Sequence, residues 1–330
     1  MMHPNSVWEK RRVLVTGGLG FIGSTLAIKL AELGAEVTVL DSLTPEYGGN
    51  LANLAGYESR IRVNISDVRD VHSLKHLVQG QQVLFNLAGQ TSHLDSMQDP
   101  FTDLEINCRA QLSILETCRT HNPELRLVFA STRQLYGRPD YLPVDEKHPL
   151  RPVDVNGINK LSGEFYHLLY QQVYGIPTTV LRLTNTFGPR MRIRDARQTF
   201  VGIWIRRILE GLPFEVWGGE QLRDFTYVDD CVDAMLLAAT CPQAVGRCYN
   251  LGGMPPVSLT ALAECLVLVN GSGQFVRHEF PADRKKIDIG DFYSDDHLIR
   301  SELGWNPVTE LDTALSRTLE YYRTRLDLYL

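Results

Sequence analysis

The chain has 330 residues, and 33 Lys and Arg against 39 Asp and Glu give it a net charge of −6 at pH 7. This length allows one large unit or two lobes that share a cleft. The mild acidity argues against non-specific binding to nucleic acids or anionic membranes. The apolar runs are too short to span a membrane, and the first residues lack the charged and apolar regions of a signal peptide. We therefore expect a cytoplasmic protein.

The cysteines show no spacing typical of zinc or redox sites. We expect reduced, mostly buried thiols and no metal site. The six positions are Cys108, Cys118, Cys231, Cys241, Cys248 and Cys265.

A glycine-rich segment near the N-terminus predicts a phosphate-binding turn. Residues 13–23 read Val-Leu-Val-Thr-Gly-Gly-Leu-Gly-Phe-Ile-Gly, an apolar run followed by glycines and the start of an apolar helix. Gly17 allows a tight turn, Gly20 lets backbone amides approach a phosphate, and Gly23 lets the helix pack closely on the strand. The amides and the dipole at the helix start then favour a pyrophosphate. A glycine-rich turn without a ligand is the simpler alternative.

Asp41 strengthens the prediction of a dinucleotide site. It follows the apolar run Val37–Leu40, near the spacing expected of a carboxylate that binds the ribose 2′-OH of a dinucleotide. No arginine follows it directly, and a carboxylate would repel a 2′-phosphate. The sequence therefore favours NAD over NADP.

Strand-like and helix-like segments alternate through the first half of the chain. This pattern predicts an α/β fold with a doubly wound parallel Rossmann sheet, whose ligands lie beyond the carboxyl ends of the strands. The predicted strands are Val13–Thr16, Val37–Leu40, Ile61–Ile65, Val83–Ala88, Leu125–Ala130 and Thr178–Leu183. The predicted helices between them are Phe21–Leu33, Phe101–Thr120 and Asn156–Tyr174.

Glycine and proline interrupt the pattern after Leu183, which predicts a smaller α/β substrate-binding lobe. We assign residues 1–183, with a return segment at about 226–252, to the NAD-binding domain. Residues 184–225 and 253–330 are assigned to the second lobe. Further helices are predicted at Phe200–Glu210, Asp229–Ala239 and Leu311–Leu326.

With several further motifs, the chain resembles the extended short-chain dehydrogenase/reductase family, which includes nucleotide-sugar epimerases, dehydratases and decarboxylases. Within this family it is similar to UDP-glucose 4-epimerases, UDP-glucuronate decarboxylases and CDP-sugar 2-epimerases. Beside the glycine turn and Asp41, the motifs are Ser-Asp-Val-Arg-Asp at 66–70, Leu-Ala-Gly at 87–89, Ser-Thr-Arg-Gln-Leu-Tyr-Gly at 131–137, Asn-Thr-Phe-Gly-Pro-Arg-Met at 185–191, Arg-Asp-Phe-Thr-Tyr-Val-Asp-Asp at 223–230 and Leu-Gly-Trp at 303–305.

The resemblance implies NAD as cofactor and a nucleotide sugar, most often a UDP-sugar, as substrate. It also implies a homodimer through two helices of each subunit, here Phe101–Thr120 and Asn156–Tyr174. The residues expected to contact NAD are Gly17, Gly20, Phe21, Ile22, Gly23, Asp41, Asp67, Val68, Leu87, Ala88 and Lys160.

Three residues are candidates for substrate binding in the second lobe. Arg223 can bind a phosphate with its forked guanidinium, and Asn185 follows a predicted strand, where its amide can donate. Trp217 can stack on a nucleobase, although core packing explains it almost as well, and Arg223 can equally form a surface ion pair. The basic run at 284–286 (Arg-Lys-Lys) is a weaker candidate for phosphate binding.

The catalytic motif departs from the family pattern. The family uses Tyr-x-x-x-Lys, in which the lysine lowers the pKa of the tyrosine that takes the proton of the sugar hydroxyl. Lys160 is present here, but Asn156 stands at the tyrosine position. An amide can orient a hydroxyl group but cannot accept its proton near neutral pH.

Three explanations remain open for this departure. In the first, another residue is the base: His93 leads because it follows the strand Val83–Ala88 at the ligand edge, although a surface histidine at a helix start fits equally well. Remoter candidates are Tyr136, Tyr141 and Asp154. In the second, Thr132, Asn156 and water carry the reaction at a reduced rate. In the third, the oxidation is lost and the protein only binds NAD and a nucleotide sugar.

The residues after Thr132 decide between reactions within the family. Dehydratases place Asp-Glu there and decarboxylases place a glutamate at the second position, whereas this chain has Arg133 and Gln134. Both reactions therefore lose an acid/base group. An NAD-dependent nucleotide-sugar epimerase, which passes through a keto-sugar, is favoured by elimination. A UDP-glucuronate decarboxylase and a non-catalytic binding protein are the alternatives.

Overall fold

A parallel sheet of seven strands is the centre of the computed structural model, which describes residues 7–44, 47–195, 197–280 and 288–330. The strands, in chain order, are β1 Arg12–Thr16, β2 Glu36–Asp41, β3 Ile61–Ile65, β4 Val83–Asn86, β5 Arg126–Thr132, β6 Thr178–Leu183, β7 Asn185–Phe187, β8 Phe214–Trp217, β9 Leu222–Arg223, β10 Phe225–Tyr227, β11 Cys248–Leu251, β12 Val257–Ser258 and β13 Phe275–His278. The order across the large sheet is β3-β2-β1-β4-β5-β6-β11. Strands β2 and β3 lie on one side of β1 and the later strands on the other, so the order of strand addition reverses between β1 and β4. In such sheets ligands bind at the reversal.

The helices cover both faces of this sheet and build the second lobe. They are α1 Phe21–Glu32, α2 Val71–Val78, α3 His93–Gln98, α4 Pro100–Leu104, α5 Ala110–His121, α6 Val155–Tyr174, α7 Phe200–Leu209, α8 Val228–Thr240, α9 Leu259–Asn270, α10 His297–Leu303 and α11 Leu311–Arg323. A π turn at Glu105–Arg109 joins α4 to α5. None of the described helices is both long and apolar enough to cross a membrane.

Alternate residues of the sheet strands enter two cores on opposite faces. Along β1, Val13 and Val15 pack with α1 and α8, while Leu14 packs on the other side with α2 and α5. This alternation follows from the two-residue period of a strand. Because both faces are covered, the strands read as continuous apolar runs, and the predicted doubly wound parallel sheet is confirmed.

The second lobe has a core of its own. Its largest buried groups come from α7, α9, α11 and β8, among them Trp204, Phe214 and Tyr322. Pairs of short strands also belong to this part of the molecule: β7 with β10, β9 with β12, and β8 with β13.

The later part of the chain returns to the first core more than once. Residues 228–251 contribute α8 and the edge strand β11, which pairs with β6. Ile299, Leu303 and Trp305 also pack in the first core, although the sequence assignment gave all of 253–330 to the second lobe. Trp305 is fixed there because its indole donates to Asp230 O at 2.9 Å. That part of the assignment is corrected.

Candidate active site

A cleft of about 700 Å³ runs along the carboxyl edge of the sheet and is closed on one side by the second lobe. Nearly all of the residues predicted to form the site line it. They are Gly17, Gly20, Phe21, Ile22, Gly23, Asp41, Asp67, Val68, Leu87, Ala88, His93, Thr132, Asn156, Lys160, Asn185 and Arg223. The fold thus brings together residues that lie more than 200 positions apart in sequence.

The glycine turn depends on the absence of side chains at two of its positions. Gly17 has φ of +67°, which favours glycine. A Cβ atom at Gly23 would overlap the carbonyl oxygen of Gly17, so α1 approaches the turn more closely than another residue allows. Gly20 is the N-cap residue of α1, and no side chain of the described residues caps this helix start. Its amides are therefore available to a phosphate.

Asp41 ends β2 at the edge of the same cleft. Its carboxylate accepts hydrogen bonds from the amides of Leu19 (3.0 Å) and Leu43 (2.9 Å). Burial raises the pKa of Asp41, and these two amides oppose that shift. A Cβ atom at Gly49 would lie 2.7 Å from Asp41 Oδ1, so the chain passes close by. The open helix start and this fixed carboxylate fit the pyrophosphate and ribose of a dinucleotide.

Lys160 lies on the second turn of α6 with its ammonium group in the cleft. Its Nζ donates to Ala130 O at 3.2 Å and lies 5.2 Å from the centre of the Phe129 ring. Burial lowers the pKa of Lys160 to about 8, against the opposing charge of Asp103. In its charged form, this ammonium group would lower the pKa of a hydroxyl group bound next to it in the cleft.

Asn156 is held in a buried polar network. Its Nδ2 donates to Gln90 O and Asp103 Oδ2, both at 2.9 Å. The buried Asp103 also accepts from Asn107 (3.0 Å) and Asn159 (2.8 Å). The amide hydrogens of Asn156 are therefore used to hold α6 against α4 and the loop after β4.

His93 pairs with the residue that caps α6. Its Nδ1 lies 2.9 Å from Asp154 Oδ2, and its side chain is 39% exposed against a fully buried Asp154 carboxylate. Asp154 also accepts from Gly157 N (2.7 Å) and from Gln134 Nε2 (2.9 Å). Burial alone would raise the pKa of Asp154, but His93 and these donors outweigh it and lower the pKa. With Nδ1 buried against a carboxylate, Nε2 is the ring nitrogen that a ligand can reach.

The two tyrosines considered as bases lie elsewhere. Tyr136 is fully buried, donates to Asn250 Oδ1 at 2.6 Å, and burial raises its pKa. Tyr141 is exposed and donates to Asp145 at 2.7 Å. Neither is among the residues that line the cleft, so the structure argues against both as bases.

Asn185 and Arg223 meet at the second-lobe end of the cleft. The guanidinium of Arg223 donates to the carbonyl oxygens of Leu222 (2.9 Å) and Gly290, and its Nη2 lies 3.5 Å from Asp288 Oδ1. Asn185 Nδ2 donates to Asp224 O at 2.9 Å. The basic run at 284–286 lies outside the described residues.

Trp217 is not among the described residues that line the cleft, and its stacking on a nucleobase stays a prediction. It ends β8, where its neighbour in β13 is His278, and its indole donates to Glu215 Oε2 at 3.2 Å. The aromatic side chains of the second lobe that do line the cleft include Phe200 and Phe280. The sequence alone could not show which aromatic side chains of the second lobe face the cleft.

Sequence reasoning also missed two contributors to the site. Asp154 was only a remote candidate for the base, and its pairing with His93 joins residues 61 positions apart. Arg133 lines the cleft between Thr132 and Asn185, and its Nη2 donates to Asn185 Oδ1 at 3.0 Å. Its position directly after Thr132 at the end of β5 is the signal that could have identified it.

Comparisons with known proteins agree with this geometry. The model of a family described as "NAD dependent epimerase/dehydratase family" matches residues 13–252. A putative UDP-glucose 4-epimerase of Methanocaldococcus jannaschii is 32% identical over 94% of this chain and 98% of its own length. UDP-glucuronic acid decarboxylase 1 of Xenopus tropicalis is 31% identical over 97% of this chain and 74% of its own length.

A similar solved structure is UDP-glucose 4-epimerase of Thermotoga maritima with UDP-glucose. It superposes with a TM-score of 0.88 and 30% identity, over 96% of this chain and 99% of that one. The likeness therefore extends over both lobes and the cleft between them.

Proposed function

Because the chain belongs to the NAD dependent epimerase/dehydratase family, we propose that it is an epimerase of a nucleotide sugar, with a UDP-sugar as substrate. One observation carries this proposal. The glycine turn, Asp41 and Lys160 share a single cleft with Asn185 and Arg223. A dinucleotide end and a nucleoside-diphosphate end would then lie in one cleft, which Thr132 also lines.

The residues of the first lobe would hold NAD, which accepts and returns the hydride when bound. The amides at the start of α1 would bind its pyrophosphate, and Asp41 would bind a ribose. Lys160, beside Ala130 O, would lie next to the reacting end. An epimerase needs only oxidation of one sugar carbon, a turn of the keto-sugar in the cleft, and reduction on its other face.

We assign the proton transfer to His93. Its Nδ1 lies 2.9 Å from the Asp154 carboxylate, which favours a proton on Nδ1 and would leave Nε2 to accept a proton from the sugar hydroxyl. Asp154 is a positioning residue in this account, because it acts through His93. Asn156 is a poor substitute, because an amide cannot accept a proton near neutral pH and its amide hydrogens already bind Gln90 and Asp103. This arrangement favours His93 over a route through Thr132, Asn156 and water.

Dehydration and decarboxylation are less well supported than epimerisation. Gln134 has its amide bound to Asp154, and Arg133 is a cation, so neither supplies a carboxylate at these positions. The similarity to a UDP-glucuronic acid decarboxylase keeps that reaction as the second candidate. Release of CO₂ with a pentose product would identify it. Tight binding of NAD and UDP-sugars without any turnover would instead identify a binding protein.

The experiment that tests the proposal is incubation of the purified protein with NAD and a panel of UDP-, CDP-, GDP- and dTDP-sugars, with products read by NMR. We expect one sugar, most directly a UDP-sugar, to be converted into its epimer. If no sugar in the panel is converted, the proposal is wrong.

A further inference from the structure

Arg133 is a cation of the cleft that has no carboxylate partner among the described residues. Its Nη2 donates to Asn185 Oδ1 at 3.0 Å. Its Nη1 is buried and has no hydrogen-bond acceptor in the described part of the chain. The guanidinium lies 5.1 Å from the centre of the Phe292 ring, within the range of a cation–π contact. A buried donor without an acceptor is costly, so its persistence in a cleft indicates a ligand.

The electrostatic surroundings of Arg133 would be improved by an anion. Burial and the nearby charge of Arg223 lower the pKa of Arg133 to about 10, whereas Asp224 and Asp288 act in the opposite direction. Asp288 lies 3.5 Å from Nη2 of Arg223, and Asp224 accepts a hydrogen bond from Ser294. These two carboxylates therefore balance the positive charge of Arg133 only in part, and an anion bound beside Arg133 would balance the remainder.

The position of Arg133 along the cleft indicates which part of the substrate it meets. Ala130 O contacts the Lys160 ammonium at one end. Arg133, three residues further along, contacts Asn185 next to β10 and the Arg223 end. The proposed function places the oxidised carbon at the Lys160 end and the diphosphate at the Arg223 end. The sugar ring would then span the distance between them, beside Arg133.

We propose that Arg133 binds a carboxylate on the sugar, so that the substrate is a nucleotide-activated uronic acid rather than a neutral hexose. This inference rests on the proposed function. The planar guanidinium can bind a carboxylate through two parallel hydrogen bonds, a geometry that a hydroxyl group cannot match. The diphosphate of the substrate presents the same anionic chemistry, so the test must separate the two sources.

The test measures binding by calorimetry, with the NAD-loaded protein and three ligands: UDP, UDP-glucose and UDP-glucuronate. We expect the wild-type protein to bind UDP-glucuronate at least about 10-fold more tightly than UDP-glucose. Arg133→Gln should abolish this preference and change the affinity for UDP by less than about 3-fold. Arg151→Gln removes an exposed arginine that pairs with Asp140 outside the cleft, and it should keep the preference.

Two results would overturn the inference. One is equal affinity of the wild-type protein for the two sugars. The other is an equal loss of affinity for all three ligands in Arg133→Gln, which would assign Arg133 to the diphosphate. If Arg133→Gln does not fold, Arg133→Lys keeps the charge but loses the fork, and should still reduce the preference several-fold; an unchanged preference would overturn the inference. If no UDP compound binds to the wild-type protein, the proposed function fails as well.

Discussion

The family resemblance assigns Asn156 to the position of the catalytic tyrosine, and in the structure its amide serves the packing of α6. The amide hydrogens are bound to Gln90 O and Asp103 Oδ2. An amide also cannot take a proton from a substrate near neutral pH. The proposed base, His93, lies at the start of α3, which follows β4, and its ring lies against Asp154.

The first prediction concerns this pair. His93→Gln keeps a polar side chain but removes the base, so kcat should fall about 100-fold or more with KM within a few-fold. Asp154→Asn keeps an N-cap residue for α6 and removes the charge, and it should lower kcat by about 10-fold. Steady-state kinetics on the converted sugar measures both effects.

The control for this experiment is His76→Gln, which changes an exposed histidine at the end of α2. Its kcat should equal that of the wild-type protein. An unchanged kcat in His93→Gln would show that His93 is not the base.

The second prediction follows from the pKa of Lys160, which burial lowers to about 8 from an ordinary 10.5. Between these two values the unfolded chain binds more protons than the folded one, so stability from this group rises with pH. Below pH 8 the buried charge costs about 3 kcal/mol of folding free energy. Lys160→Met removes that cost, so its gain in stability over the wild-type protein should be large at pH 7.

Raising the pH should reduce the difference between the two proteins. We expect most of the gain of Lys160→Met to disappear by pH 10.5, because the wild-type lysine is then neutral in the folded state and about half neutral in the unfolded state. Urea denaturation of the NAD-free proteins at pH 7 and pH 10 measures this change. An equal difference at both values would contradict the lowered pKa.

Single residues of the site differ in how far the sequence could predict them. Lys160 and the glycine turn could be predicted because each belongs to a motif that lies within one short segment of the sequence. His93 could be proposed because residues after a parallel strand face the ligand edge. Its pairing with Asp154, and the network around Asn156, could not be predicted, because they depend on the packing of α3, α4 and α6 against one another.

At the scale of elements, α6 has two faces with different roles. One face carries Asn156, Asn159 and Lys160 into the site. The opposite face exposes apolar side chains, among them Ile158, Phe165, Leu169 and Val173, and α4 exposes Phe101 and Leu104. Contiguous apolar surface of this kind marks an interface. We therefore propose that α6, with α4 and α5, forms the interface of a homodimer, as the family resemblance implies.

The third prediction tests this interface. The wild-type protein should sediment as a dimer of twice 37.3 kDa. Phe165→Glu places a charge in the middle of the exposed face of α6, where Phe165 is 53% exposed, and should yield monomers. Leu268→Glu is the matched control, because Leu268 is an exposed apolar residue of α9 in the second lobe. A monomeric wild-type protein, or a dimeric Phe165→Glu variant, would contradict the proposal.

The sequence predicted several strands of the large sheet and the helix α6 well, but it missed other helices. The predicted strands Ile61–Ile65 and Thr178–Leu183 have the same bounds in the structure, and α6 differs by one residue. The predicted helix Phe101–Thr120 contains a π turn, which no periodicity signals. The helix α9 was missed because it is apolar on most sides and so lacks a 3.6-residue pattern.

At the scale of the whole molecule, two lobes share one cleft, and this arrangement was predictable in outline. Alternating strands and helices dictate a parallel sheet, and a parallel sheet dictates the edge at which ligands bind. The path of the later chain was not predictable in detail. The return of Ile299, Leu303 and Trp305 to the first core depends on contacts with distant segments, such as the bond of Trp305 to Asp230.

Both lobes would be needed to bring the cofactor and the substrate together. The residues proposed to hold NAD come from the sheet, whereas Arg223 and Phe280 come from the second lobe. The reaction carbon would lie between them, near Lys160 and His93. An epimerase needs this enclosure because its keto-sugar must be retained while it turns.

The measurement that tests this account most directly is NMR of UDP-sugars incubated with the purified, NAD-loaded protein. The account predicts that one UDP-sugar is converted into an equilibrium mixture with its epimer, starting from either one, without net change in NAD. Loss of CO₂ from UDP-glucuronate, or no conversion of any sugar despite tight binding, would contradict it.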